Sequence, residues 1–168
     1  DAGRTWRPEN FGGDYGGRLT LRRALMRSAN AATVRLSQAV GERRVVALAQ
    51  RSGIRSRIDA VPAVALGAFE VTPLELAAAY TPFANGGLRV EPHLVTRIEA
   101  ADGTVLWRAH PPEPERVLGS AEAFQITSML QSVVDGGTGR VVRNMGVRGM
   151  VAGKTGTTNN GADVWFIG

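Results

Sequence analysis

Cysteine is absent from the 168 residues, so disulfides and thiolate metal sites are both excluded, and cysteine usage leaves the compartment open. Histidine is almost absent too. His93 and His110 lie apart in loop or strand-edge contexts, without neighbours at ligand spacing, which argues against a metal site. No apolar run is long enough to span a bilayer, and the first residues do not read as a signal peptide. The scarcest informative residue is lysine: Lys154 stands alone in a Lys+Arg total of 20. The net charge of +5 is therefore carried by arginine. These arginines are dispersed. Arg22, Arg23, Arg27 and Arg35 cluster only at the spacings of a solvated helix face, and no aromatic-rich basic stripe accompanies them, so nucleic acid is not an expected partner.

The hydrophobic share of 43% suits one globular domain or a large piece of one. Residues 1–19 are rich in Gly, Asn, Asp and Arg and read as irregular connection. Thr20 can cap a helix carrying Leu21, Ala24 and Leu25 that stops near Ser28-Ala29-Asn30. A second helix carries Val34, Leu36 and Val40 and ends at Gly41. A third covers Glu42 to Arg51 and ends at Gly53. Thr72-Pro73-Leu74-Glu75 has the cap, the first-turn proline and the glutamate of a capping box. The helix it starts is expected to bury Leu74, Ala77, Ala78 and Tyr80 before Asn85-Gly86-Gly87. Residues 94–108 resemble a hairpin turning at Asp102-Gly103, and Pro111, Pro112 and Pro114 stiffen the connection that follows. Ser120 begins another helix, with Phe124, Met129, Leu130, Val133 and Val134 expected inward and Gly136-Gly137 ending it. A last hairpin is expected from residues 150–158 and 162–167, turning at Asn159-Asn160-Gly161. The pattern is α/β of the α+β type, helices packed on an antiparallel sheet.

The lone lysine sits in Ala152-Gly153-Lys154-Thr155-Gly156-Thr157-Thr158. An ammonium beside several hydroxyls, on a backbone freed by glycine, makes an anion site. Thr155 and Thr157 can donate to a carboxylate, and Gly156 lets an extended peptide lie alongside as an added strand. A main-chain N–H there can also face a developing oxyanion. A nucleotide P-loop is rejected. The glycine it needs five residues before Gly153 is Arg148, and no helix opens after Lys154. Upstream, Ser28-Ala29-Asn30 places a hydroxyl and an amide two residues apart at a helix break. Taken alone, Asn30 reads as a helix cap.

Ser-x-Asn followed by Lys-Thr-Gly is part of the signature of penicillin-binding proteins and serine β-lactamases. Longer stretches narrow the resemblance to class A, bifunctional penicillin-binding proteins: residues 20–36, 67–87, Gly137-Thr138-Gly139-Arg140 and 153–168. It covers Trp6 to Gly168. The resemblance implies the penicillin-recognising fold and a peptidoglycan D,D-transpeptidase in which a serine attacks the carbonyl between two terminal D-alanines of a stem peptide. D-alanine leaves, and an amine of a neighbouring stem resolves the acyl-enzyme. It further implies that Ser28 and Lys154 belong to the proton-transfer network and that Asn30 holds the substrate amide and orients the general-base lysine. Thr155 and Thr157 would bind the terminal carboxylate, with Gly156 and Thr158 completing the substrate strand and the Thr157 N–H forming half of the oxyanion hole. β-Lactams would acylate the same serine.

No cofactor is implied. The expected location is the outer face of the cytoplasmic membrane, with an anchor outside these residues and partners among other cell-wall synthesis proteins. One element of the pattern is missing. Ser-x-x-Lys would need serine at position 151, which is Val151. The expectation is therefore a partial domain over 1–168, lacking the nucleophile segment and the last sheet strand, in a parent that also carries a glycosyltransferase domain. Poor solubility in isolation is expected from an unpaired edge beside Val164, Trp165, Phe166 and Ile167. Two rivals share the fold: a β-lactamase or D,D-carboxypeptidase, and a non-catalytic β-lactam sensor or scaffold.

Overall fold

The computed structural model describes residues 6–158 and 161–168. Residues 6–20 form no regular element, and among the described residues six α-helices, one 3₁₀ turn and six short strands follow. Helices α1 (Leu21–Met26), α2 (Asn30–Val40) and α3 (Glu42–Ser52) come in close succession. A 3₁₀ turn (Pro62–Leu66) leads to α4 (Pro73–Ala84). Strands β1 (Leu88–Arg89), β2 (Arg97–Glu99), β3 (Val105–Arg108) and β4 (Glu115–Arg116) precede α5 (Ser120–Gly136). The chain closes with α6 (Val141–Asn144), β5 (Lys154–Thr157) and β6 (Val164–Ile167). Among the described residues there are three antiparallel strand pairs, β1–β4, β2–β3 and β5–β6, rather than one continuous sheet. No described helix is long and apolar enough to cross a membrane.

Helix α5 is the platform. Ala123, Val133 and Val134 are fully buried and Leu130 nearly so, and α1, α4 and β5 all pack against it. Arg22 fastens α1 to α5 by donating to Ser128 O (2.7 Å), Ser132 Oγ (2.7 Å) and Ser128 Oγ (3.1 Å). Phe124, expected inward, is 73% exposed: it lies one residue off the stripe that Ala123, Leu130 and Val134 define.

Most punctuation falls where expected. Thr20 Oγ1 accepts from Arg23 N, Gly41 and Gly53 close their helices at positive φ, and the 97–108 hairpin turns through residues 100–104. The turn expected at Asn159-Asn160-Gly161 falls partly outside the described residues. The capping box of α4 forms in full, and Glu75 extends it. Its Oε2 accepts from Thr72 N, Thr72 Oγ1 and Ser56 Oγ, and its Oε1 from Arg55 N and Ser56 N, all within 2.9 Å. One carboxylate thus ties the start of α4 to the segment after α3. Because Glu75 is the side chain turned to that segment, Leu74 and Ala77 face outward, against expectation. Leu74 is 57% exposed, and Ala78 and Pro82 carry the buried face. In α2, Val34 is buried while Leu36 and Val40 are exposed.

The end of α1 matters most for the site. Ala29 N donates to Ala24 O and Ser28 N to Leu25 O, the paired bonds of a Schellman motif. That motif asks for a left-handed residue, usually glycine. Here Ser28 takes it at φ 52°, the only non-glycine positive φ among the described residues. The first helical residue of α2 is Asn30, so Asn30 is not its cap. Asn10, from the irregular segment, supplies the capping oxygen instead: Oδ1 accepts from Ala31 N at 3.0 Å.

Two outcomes are expected. Ser28→Gly should be more stable than Ser28→Ala by about 1 kcal/mol in urea denaturation. Both lack the hydroxyl, and only alanine keeps the left-handed penalty; equal midpoints would remove the strain argument. The bonds from Thr72, Ser56 and Arg55 hold the Glu75 carboxyl at a pKa of about 2, against an ordinary 4.5. A depressed carboxyl pKa stabilises the fold above the ordinary value, and that gain is lost as pH falls from 4.5 through about 2. Glu75→Gln should flatten this limb of the stability–pH curve, measured at several pH values across the window.

Candidate active site

Three segments distant in sequence meet at the active-site candidate: the turn between α1 and α2, the loop after α5, and β5. Two glycines allow it. A Cβ at Gly137 would strike Met26 O and come within 2.9 Å of Val133 Cα, so only glycine lets the loop after α5 lie against the end of α1. A Cβ at Gly153 would strike the Phe166 ring and sit 2.6 Å from Ile167 O, so only glycine lets the chain entering β5 lie flat against β6. Gly153 N in turn donates to Leu130 O of α5 at 3.3 Å.

Within this frame Lys154 reaches the Ser28 turn. Its Nζ donates to Ser28 Oγ at 2.9 Å and to Thr155 O at 2.8 Å, closing a contact between residues 126 apart in the chain. Lys154 forms no ion pair among the described residues, and partial burial pushes its pKa below the usual lysine value. The ammonium is thus held by neutral oxygens alone, which leaves its field available to an anion.

The register of β5 on β6 runs Lys154 against Ile167 to Thr157 against Val164. Alternation along the strand sends Lys154 to one face and Thr155 and Thr157 to the other. Gly156, on the Lys154 face, has open space where a side chain would be. The edge of β5 away from β6 pairs with no strand among the described residues. Thr157 and Thr158 are exposed, and Thr158 Oγ1 accepts from Asp163 N at 3.0 Å, closing the β5–β6 connection. Ser28 also lines a cavity of about 130 Å³ with Asn10, Phe11, Tyr15, Leu19 and Arg27.

Of the residues singled out from sequence, Ser28 and Lys154 touch, and Thr155 lies beside them. Asn30 sits at the same helix junction, with Nδ2 donating to Glu9 O at 2.8 Å rather than bonding Lys154. Its Oδ1 has no protein donor among the described residues. Sequence reasoning assigned no role to Thr138. Its N–H donates to Met26 O at 3.0 Å, and its Oγ1 lies 2.7 Å from Thr155 Oγ1. The available signal was a threonine between two glycines directly after a helix end. The irregular arm was also missed, although Glu9 and Asn10 both bind the start of α2.

Comparison with known proteins bears on the family and the fold. The chain is 36% identical to penicillin-binding protein 1A of Rickettsia typhi over 98% of its length, and it spans 23% of that relative. To the crystal structure of penicillin-binding protein 1A from Haemophilus influenzae it is 30% identical with a TM-score of 0.89, covering 99% of this chain and 30% of that one. The imipenem acyl-enzyme complex of penicillin-binding protein A from Mycobacterium tuberculosis shares the fold, with a TM-score of 0.79 at 24% identity, over 98% of this chain and 42% of that one. A family model, the penicillin-binding protein transpeptidase domain, matches residues 2–168. From its first glycine-framed turn to its lysine-bearing strand, the chain belongs to the penicillin-binding protein transpeptidase domain family.

Proposed function

We propose that these residues supply the substrate-positioning part of a serine-type peptidoglycan D,D-transpeptidase. The observation that carries the reading is the 2.9 Å contact from Lys154 Nζ to Ser28 Oγ, beside a β5 edge that pairs with no strand among the described residues. A stem peptide lies along β5 as an added strand. Thr155 and Thr157 donate to its terminal carboxylate, and the Lys154 charge favours that anion. The Thr157 N–H supplies one donor to the developing oxyanion. The attacking serine belongs to a Ser-x-x-Lys segment that the 168 residues do not contain.

Its hydroxyl proton passes to the general-base lysine of the same Ser-x-x-Lys segment as the serine Oγ bonds the D-alanyl carbonyl carbon and the carbonyl oxygen takes the negative charge. Collapse of the tetrahedral intermediate breaks the C–N bond, and the departing D-alanine amine takes up a proton. Ser28, held by Lys154, stands ready to relay that proton. Asn30, whose carbonyl has no protein donor among the described residues, offers that oxygen to the substrate amide. A neighbouring stem amine then displaces the serine. β-Lactams enter as mimics of the same peptide, with the ring amide in place of the D-Ala–D-Ala bond.

The remainder of the reading concerns the parent protein. The active site works outside the cytoplasmic membrane, anchored by a segment beyond these residues, and a glycosyltransferase domain supplies the glycan strands to be cross-linked. A β-lactamase or carboxypeptidase would need a positioned base for water, and no carboxylate partners Ser28 or Lys154 among the described residues.

In the full-length protein, Ser28→Ala and Lys154→Ala should each slow acylation by a fluorescent penicillin about 100-fold or more; unchanged labelling would remove Ser28 and Lys154 from the mechanism. The 168 residues alone should not be labelled, and a covalent adduct anywhere on them would refute the missing-nucleophile argument. Lys154 carries the only ε-amine. Competitive amine labelling should therefore read its pKa directly, below 10.5. A lysine pKa lowered by burial means that the unfolded chain binds the proton more tightly, so stability rises with pH between the folded value and 10.5.

A further inference from the structure

We propose that Thr138 is a positioning residue that fixes the direction of the Thr155 hydroxyl proton. The inference rests on the reading above, that Thr155 receives the substrate's carboxylate. The Thr138 and Thr155 oxygens lie 2.7 Å apart, so one hydroxyl donates and the other accepts. A hydroxyl carries one proton. If Thr155 donated to Thr138, it would have none for an anion. With Thr138 as the donor, the Thr155 proton is committed outward, and the chain from Thr138 through Thr155 to the carboxylate strengthens along its length.

Thr138 is built for the donor role. Its Oγ1 has no other protein partner among the described residues, and its N–H is spent on Met26 O, two residues before Ser28. A threonine just after a helix would ordinarily turn its hydroxyl back on a local carbonyl. This one reaches a strand 17 residues further along. The close approach that Gly137 permits puts it there, and its backbone bond ties the Ser28 turn to the residue that aims Thr155.

The test uses the full-length protein and the second-order rate constant of acylation by two probes, benzylpenicillin and its methyl ester. Thr138→Val keeps the shape and the backbone bond and removes only the hydroxyl. It should lower the constant for benzylpenicillin about tenfold while changing that for the ester less than twofold, and Thr138→Ser should restore the wild-type ratio of acid to ester. On a Thr155→Val background, Thr138→Val should have no further effect, because its action passes through Thr155. Equal losses for acid and ester would make Thr138 a structural tie only. Multiplicative losses in the double variant would mean that it meets the carboxylate itself. Either result overturns the proposal. A wild-type protein that reacts equally with acid and ester, or with neither, would instead overturn the reading of Thr155 or of the function, and this inference with it.

Discussion

The site depends on close backbone approach at two points. Where Gly137 meets the end of α1 and Gly153 meets the Phe166 ring and the Ile167 carbonyl, no side chain fits. The first approach brings the loop after α5 to the Ser28 turn. The second sets β5 flat on β6, so that Lys154 leaves one face and Thr155 the other. Helix α5 lies behind both, and its buried stripe of Ala123, Leu130, Val133 and Val134 gives the two approaches a common rigid support. Larger residues at either glycine would separate groups whose bonds are all near 3 Å.

The electrostatics follow from that packing. An ammonium in a half-buried position normally acquires a carboxylate, which would quench its field. Lys154 instead rests on a hydroxyl and a main-chain carbonyl. The charge is partly desolvated and has no ion-pair partner among the described residues, an arrangement that costs stability and favours an incoming anion. Ser28 adds a second local cost by occupying a left-handed position that glycine would fill without strain. Both costs fall on residues that the transpeptidase reading uses.

Sequence carried the parts of this picture that are local. Thr20, Thr72 with Glu75, Gly41, Gly53 and the Asp102-Gly103 turn act through neighbours within a few residues, so their chemistry is visible in a short window. Burial was less legible. Phe124 and Leu74 are apolar on helices but sit just off, or before, the stripes their neighbours define, and only the position of α5 decides which stripe is inside. The site was half legible. Lys154, Thr155 and Ser28 were marked by rarity and motif. Thr138 and Asn10 act on partners 17 and 21 residues away, through single hydrogen bonds that leave no periodic trace. The two expected hairpins, β2–β3 and β5–β6, are both antiparallel pairs in the structure, because each turns through residues close in sequence; the β1–β4 pair joins strands far apart and had no local signal.

The distance along the chain between Ser28 and Lys154 has a consequence for how the protein acquires its structure. Joining residues 126 apart carries a loop-closure entropy that local helices do not face. Contacts of that span are the slow ones during chain collapse. The helices α1 to α3 and the α4 capping box draw on nearby residues, while the lysine's reach to its serine depends on α5, which packs against both α1 and β5. The Ser28–Lys154 contact therefore belongs to the long-range part of the fold, and its geometry depends on every element that carries the intervening chain.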